Sequence, residues 1–286
     1  MDPLVPPDEA AALVESGSVI PADVRWYLDG RSGREAYEAG HLPGAVFVDL
    51  DTMLAAPPLT NGGGRHPLPP PEAFSDAMGS LGIGDDSTVL AYDDAGGSIA
   101  ARLWWMLRAT GHAVAVLDGG IAAWPRELET GVGTRRPPAT FTPSPWPGSR
   151  VADADFTGAL ASGGAGVVLD ARAPERYRGE VEPIDPRAGH IPGAKSAPWS
   201  ANLDHDTGRF LLPGPLRHYY RSLGVEQGTN VIAYCGSGIT SCHTILALER
   251  AGLGDAARLY AGSWSDWSAD ADRPVATGNG AGEAPG

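Results

Sequence analysis

The chain has 286 residues, more than one domain of ordinary size needs, and its composition of 42% hydrophobic and 20% charged residues is that of a folded protein. Acidic residues outnumber basic ones 35 to 21, a net charge of −14, which argues against nucleic acid as a partner. Glycine and proline make up 65 residues, about 23%, just below the range that marks low complexity; many turns around real cores are expected.

Along the chain the elements come twice. The segment Met1–Glu9 lacks the basic start and apolar core of a signal peptide. A short strand-like stretch then ends in Asp23-Val24-Arg25, with His41 of Gly40-His41-Leu42-Pro43-Gly44-Ala45 eighteen residues after Asp23. Val89-Leu90-Ala91-Tyr92 reads as a buried strand, Ile99–Thr110 as a helix, and Leu117-Asp118-Gly119-Gly120 as a closing strand and turn. The stretch Arg135–Arg150 carries five prolines, which forbid a helix and favour an extended surface connector.

The second copy opens with Asp170-Ala171-Arg172, and His190 of Gly189-His190-Ile191-Pro192-Gly193-Ala194 follows twenty residues after Asp170. Val231-Ile232-Ala233-Tyr234 repeats the strand, Thr240–Ala251 the helix, and Leu259-Tyr260-Ala261-Gly262 the closing turn. Strands alternating with helices predict an α/β fold with mostly parallel sheets. The boundaries are 1–134 for the first domain, 135–150 for the linker, 151–275 for the second domain and 276–286 for a disordered tail rich in Gly and Ala. No apolar run reaches the ~18 residues of a membrane span, since Arg102 and Arg108 interrupt the best one.

The chemistry concentrates at Tyr234-Cys235-Gly236-Ser237-Gly238-Ile239-Thr240-Ser241. Cys235 falls between a buried strand and a helix, at the carboxyl end of the sheet where α/β folds bind ligands. Gly236 and Gly238 let successive amides curl around an anion, and the positive end of the helix adds to that field. Thiolate is favoured over thiol, so Cys235 is the expected nucleophile, and the same cradle suits a persulfide. The first copy has Asp93 and Asp94 here, which carry no transferable sulfur and repel anions; that domain is expected to be catalytically silent, with Asp93 read as a surface-type acid. Two cysteines, Cys235 and Cys242, build neither a disulfide framework nor a four-ligand zinc site, and no cofactor or metal motif is present. Cys242 and the eight Trp residues read as packing.

These motifs resemble the two-domain rhodanese family of sulfurtransferases over nearly the whole chain. The loop Cys235-Gly236-Ser237-Gly238-Ile239-Thr240 is similar to that of the mercaptopyruvate-using branch, and the paired Gly-His-x-Pro-Gly-Ala segments and Gly262-Ser263-Trp264-Ser265-Asp266-Trp267 fit as well. The resemblance implies two tandem rhodanese-like domains and transfer of sulfane sulfur from 3-mercaptopyruvate, through a persulfide on Cys235, to a thiol, cyanide or a thioredoxin-like protein; the two cysteines and the lack of signal-peptide or membrane-span features predict a cytoplasmic protein. The resemblance further implies Ser237 and Thr240 as catalytic helpers, Gly236, Gly238 and Ile239 as substrate-binding residues of the loop, and Arg178 and Arg187 as the grip on the substrate carboxylate, for which a guanidinium fork is suited. Arg172 reads as structural, and His41 as a turn histidine that in this family has been paired with the loop serine. The alternatives are a thiosulfate:cyanide sulfurtransferase and a non-catalytic binding module; a cysteine phosphatase would need Arg where Ser241 stands.

Overall fold

The computed structural model describes residues 2–58, 62–133 and 135–280. The chain packs as two compact units: Met1–Ala56, Leu68–Trp146 and His205–Phe210 form the first, and Pro57–Pro67, Pro147–Asp204 and Leu211–Gly286 the second. The division differs from the sequence boundaries: the connector 135–150 is split after Trp146, and two further segments change sides. The segment 57–67 packs with the second unit, and 205–210 with the first.

The first unit runs β1 (Leu4–Val5), α1 (Pro7–Glu15), β2 (Ile20–Asp23), α2 (Gly33–Ala39), β3 (Val46–Phe47), α3 (Leu50–Met53), α4 (Pro71–Ser80), β4 (Thr88–Tyr92), α5 (Ala100–Ala109) and β5 (Ala113–Leu117). The second repeats the plan with β6 (Val151–Ala152), α6 (Ala154–Gly163), β7 (Val167–Asp170), α7 (Pro174–Tyr177), β8 (Lys195–Ser196), α8 (Pro213–Ser222), β9 (Val231–Tyr234), α9 (Thr240–Arg250), β10 (Ala257–Tyr260) and α10 (Ser263–Trp267). Each sheet has five parallel strands, in the orders β1-β5-β4-β2-β3 and β6-β10-β9-β7-β8. The expected α/β class with parallel sheets is what the chain adopts.

The central strands β4 and β9 explain their own sequences. Buried on both faces, they read as continuous apolar runs rather than alternating ones. The helices that follow them, α5 and α9, are buried over most of their length, which accounts for their lack of a polar face. Both duplicated motifs meet at the carboxyl ends of these strands. Arg25 forks onto Asp23 and donates to the Gly40 carbonyl at 2.7 Å; Arg172 forks onto Asp170 and donates to the Gly189 carbonyl at 2.6 Å. The Tyr92 and Tyr234 hydroxyls accept from the amides of Leu42 and Ile191. Each Asp-x-Arg therefore ties its strand to the Gly-His-x-Pro-Gly turn, and the motifs recur together because they form one contact. His41 and His190 belong to the same contact: each is fully buried, stacked on Tyr37 or Tyr177, with Nδ1 2.8 Å from that tyrosine's carbonyl.

The Pro-rich stretch has no helix or strand between 135 and 147, but its first part is more than a connector. Phe141 is buried and meets Phe74 edge-on at 5.6 Å, and the Ala139 amide donates to the Gly79 carbonyl at 2.9 Å. Apolar burial holds this strip on the first unit. The tail expectation is corrected over 276–280: Ala276 exchanges two backbone hydrogen bonds with His190, and the Gly278 amide donates to the Arg178 carbonyl at 2.9 Å. Residues 281–286 lie outside the described residues.

Asp93 is also corrected. It is fully buried, and its carboxylate accepts from the amides of Ala95, Gly97, Ile99 and Ala100 at 2.8–2.9 Å. Burial pushes its pKa up, against the pull of those four amides. Asp93 thus fills the amide nest ahead of α5 with the protein's own anion. An amide cannot replace it, because its NH2 would face N–H donors. Asp93→Asn is expected to cost about 1–3 kcal/mol of stability, read as a lower urea midpoint and faster hydrogen exchange at Ala95–Ala100; an unchanged midpoint would contradict the buried-anion account.

Candidate functional site

The corresponding loop of the second unit has a sulfur where Asp93 stands in the first. Cys235 follows β9 directly and is 2% exposed. Its Sγ accepts from the Gly238 amide at 3.1 Å. Burial alone would raise the thiol pKa, but the hydroxyls of Thr240 and Ser241 and the amides of Ser237 and Ser241 outweigh it and hold the pKa below the ordinary value. Ile239 caps α9, so that the helix starts at Thr240 with its positive end toward the sulfur. Gly238 has φ +80°, and a Cβ there would lie 2.4 Å from the Ala261 carbonyl oxygen; only glycine permits this close return.

The back of the loop is pinned by the start of α10. The amides of Trp264 and Ser265 donate to the carbonyls of Cys235 and Gly236 at 2.9 and 3.0 Å. Ser263 accepts from the Cys235 amide at 3.1 Å and donates to the Tyr260 carbonyl at 2.8 Å. It is the one described non-glycine residue with positive φ, at +54°; the first unit has Gly120 at +60° in the equivalent turn. Those two hydrogen bonds hold a conformation that a serine rarely adopts.

Two groups come to the loop from segment 57–67. His66 Nδ1 lies 2.8 Å from Ser237 Oγ, and Arg65 Nη2 is 3.1 Å from the position a Gly236 Cβ would occupy. The segment is clamped onto α10: Gly63 donates to Asp266 at 2.7 Å and the Arg65 amide donates to Ser265 Oγ at 3.0 Å, while Gly64, at φ +77°, passes so close to the Gly262 carbonyl that a Cβ would sit 2.3 Å from its oxygen. From the other side, Arg176 Nη1 is 3.5 Å from the same Gly236 position. Asp185, buried between the two guanidiniums, pairs with both.

The expected residues divide accordingly. Cys235, Gly236, Ser237, Gly238, Ile239 and Thr240 are brought together in one loop. Arg178 instead forks onto Glu180 at 2.8 Å on the surface. Arg187 donates to the carbonyls of Trp267, Ser268, Asp270 and Arg273, closing the end of α10. Its donors are taken up by carbonyls at and just beyond the end of that helix. The guanidiniums at the loop are Arg65 and Arg176. The histidine that meets the loop serine is His66, not His41, whose ring is locked in its own turn. Neither Arg65 nor His66 was singled out from the sequence; the run Gly62-Gly63-Gly64 just before them, which allows close backbone approach, was the available signal. Cys242 is buried on α9 with Sγ 3.4 Å from the Gly238 carbonyl oxygen, and Arg172 is held by Asp170.

Among the described residues no cluster of His, Cys, Asp or Glu could hold a metal ion, and no helix is long and apolar enough to cross a membrane.

The rhodanese-like domain model matches residues 6–127 and again 154–270. The chain is 42% identical, over 96% of its length and 98% of the other's, to a Pseudomonas aeruginosa protein named "Probable 3-mercaptopyruvate sulfurtransferase". It is 34% identical to the thiosulfate sulfurtransferase of Rattus norvegicus, with 90% of this chain and 89% of that one covered. The crystal structure of SseA, a 3-mercaptopyruvate sulfotransferase of Escherichia coli, superposes with a TM-score of 0.80 at 30% identity, covering 93% of this chain and all of the other. With both halves matched by one domain model and the duplicated motifs explained by one repeated contact, the chain belongs to the rhodanese family, as two rhodanese-like domains in tandem.

Proposed function

We propose that the protein is a sulfurtransferase that takes sulfur from 3-mercaptopyruvate onto Cys235 and passes it to a thiol, cyanide or a thioredoxin-like protein in the reducing cytoplasm. The observation that carries this reading is the sulfur loop itself: a buried thiol with an amide on its Sγ, hydroxyls beside it and a helix start behind it, an arrangement that stabilises a sulfur anion. The relatives' names support both the reaction class and the donor.

In the first half-reaction the Cys235 thiolate attacks the substrate sulfur. The carbon–sulfur bond breaks and its electron pair goes to the pyruvate enolate, which takes up the proton released by the substrate thiol. The Ser237–His66 pair supplies a path for that proton. Arg65 and Arg176 hold the substrate carboxylate, a task that a guanidinium fork performs with two parallel hydrogen bonds. The persulfide left on Cys235 is an anion of the kind the loop amides favour. In the second half-reaction the acceptor attacks the outer sulfur and the Cys235 thiolate leaves.

A second reading, thiosulfate:cyanide transfer, is favoured by the rat relative and by the same two guanidiniums, which would also suit a compact dianion. The two donors separate on Arg65, whose fork favours a planar carboxylate. Arg65→Ala is expected to lower kcat/KM for 3-mercaptopyruvate by about 30- to 1,000-fold, or about 2–4 kcal/mol, with partial rescue by Lys. Arg178→Ala removes only an exposed ion pair and should leave turnover within about threefold. Wild type turning over thiosulfate faster than 3-mercaptopyruvate would overturn the donor assignment. Without an acceptor, 3-mercaptopyruvate should add one sulfur to the peptide bearing Cys235, seen by mass spectrometry, and Cys235→Ser should abolish transfer; sulfur found on Cys242 would overturn the mechanism.

Thr240→Val tests the origin of the reactive thiolate. Loss of the hydroxyl raises the thiol pKa, so the rising limb of alkylation rate against pH moves to higher pH and the rate at pH 7 falls. An unmoved limb would show that Thr240 does not stabilise the anion.

A further inference from the structure

The first unit carries a second concentration of positive charge, remote in sequence from the sulfur loop. A cavity of about 310 Å³ opens beside the last turn of α4, lined by Arg34, Arg135 and Arg136 and by the apolar side chains of Phe47, Leu81 and Val132. None of the three guanidiniums has a carboxylate partner among the described residues. Other arginines of the same unit do have one: Arg25 pairs with Asp23, Arg31 with Asp29 and Arg126 with Glu15. In a chain of net charge −14, acids are the commoner charge, and three cations lining one cavity without one repel each other.

The geometry around the cavity is fixed by packing. A Cβ on Gly133 would lie 1.9 Å from Tyr37 Oη, and one on Gly82 would lie 2.7 Å from Arg136 Cβ, so the backbone carrying Arg135 and Arg136 is pressed against both walls. Arg34 lies over the Phe47 ring, 4.4 Å from its centroid, a contact with the ring face that consumes none of the guanidinium's N–H donors. Val132 is 81% exposed, an apolar side chain standing at the rim with nothing over it.

We propose that this cavity binds a small organic anion, with a phosphate or carboxylate group set among the three guanidiniums and a planar apolar body against Phe47, Leu81 and Val132. The volume lies at the small end of ligand sites, roughly 300–1,000 Å³, and suits a molecule the size of a mononucleotide rather than a peptide. Guanidiniums supply paired donors for the anion, and the apolar walls supply the affinity that a bare inorganic ion would lack. The site is independent of the sulfurtransferase reading and gives the first domain a role that its Asp93-filled loop does not.

The test is titration calorimetry of the full chain with 1-naphthyl phosphate, set against inorganic phosphate and 1-naphthol. The naphthyl phosphate should bind at least about tenfold more tightly than either fragment, and more weakly as salt is raised. Arg34→Gln/Arg135→Gln should weaken binding about tenfold or more while sulfur transfer stays within about twofold. Val132→Glu, at an exposed position, should weaken binding comparably by placing a carboxylate at the rim, and keeps the test open if the double variant does not fold. Binding no tighter than that of inorganic phosphate, or binding unchanged in these variants, would each overturn the proposal.

Discussion

A line of alternating charges runs from the buried end of β7 to the sulfur loop, and the second unit's site depends on it. Asp170 holds Arg172, which reaches Glu182 at 3.3 Å; Glu182 holds Arg176 at 2.6 Å; Asp185 joins Arg176 to Arg65. Arg172 also packs over the Trp264 ring at 4.5 Å, next to the α10 amides that pin the loop. Each buried charge is costly alone and tolerable only with its neighbour in place. Removing a middle member would leave two ions uncompensated, so the line fixes where the guanidiniums at Gly236 can stand. Asp185 shows the tension: burial pushes its pKa up although two arginines pull it down.

The two units show one backbone plan serving two electrostatic ends. In the first, the loop after the central strand surrounds a carboxylate that belongs to the chain, and four amides are spent on it. In the second, the loop is shorter and presents a thiol, with the amides of Ser237, Gly238 and Ser241 and the hydroxyls of Thr240 and Ser241 turned toward the sulfur. The nest of the first domain is already filled by Asp93, a buried acid rather than a surface one.

What could be read in advance was whatever is local in sequence. The strand, the Cys235 loop and α9 sit within twenty contiguous residues, and the glycines there announce the turn they make. The Asp-x-Arg pairs and the Gly-His-x-Pro-Gly turns were visible as repeats, although not as one contact. Local sequence does not say which guanidiniums stand at the loop, for a physical reason. An arginine side chain is long enough to reach several partners, and which one it meets depends on the acids and carbonyls that folding brings near. Arg178 found Glu180 two residues away, and Arg187 found the carbonyls at the end of α10. Arg65 and His66 lie some 170 residues before the loop they serve, a separation no local pattern bridges.

The clamped segment 57–67 means that the duplicated halves of the sequence are no longer interchangeable modules. A fragment beginning at Pro147 would contain the sheet, the loop and the thiol, yet lack the histidine and one of the arginines beside them. A stretch encoded in the first half of the sequence belongs to the second unit and brings two side chains to its sulfur loop. The second half of the sequence therefore depends on a few residues of the first for the full set of side chains around its thiol.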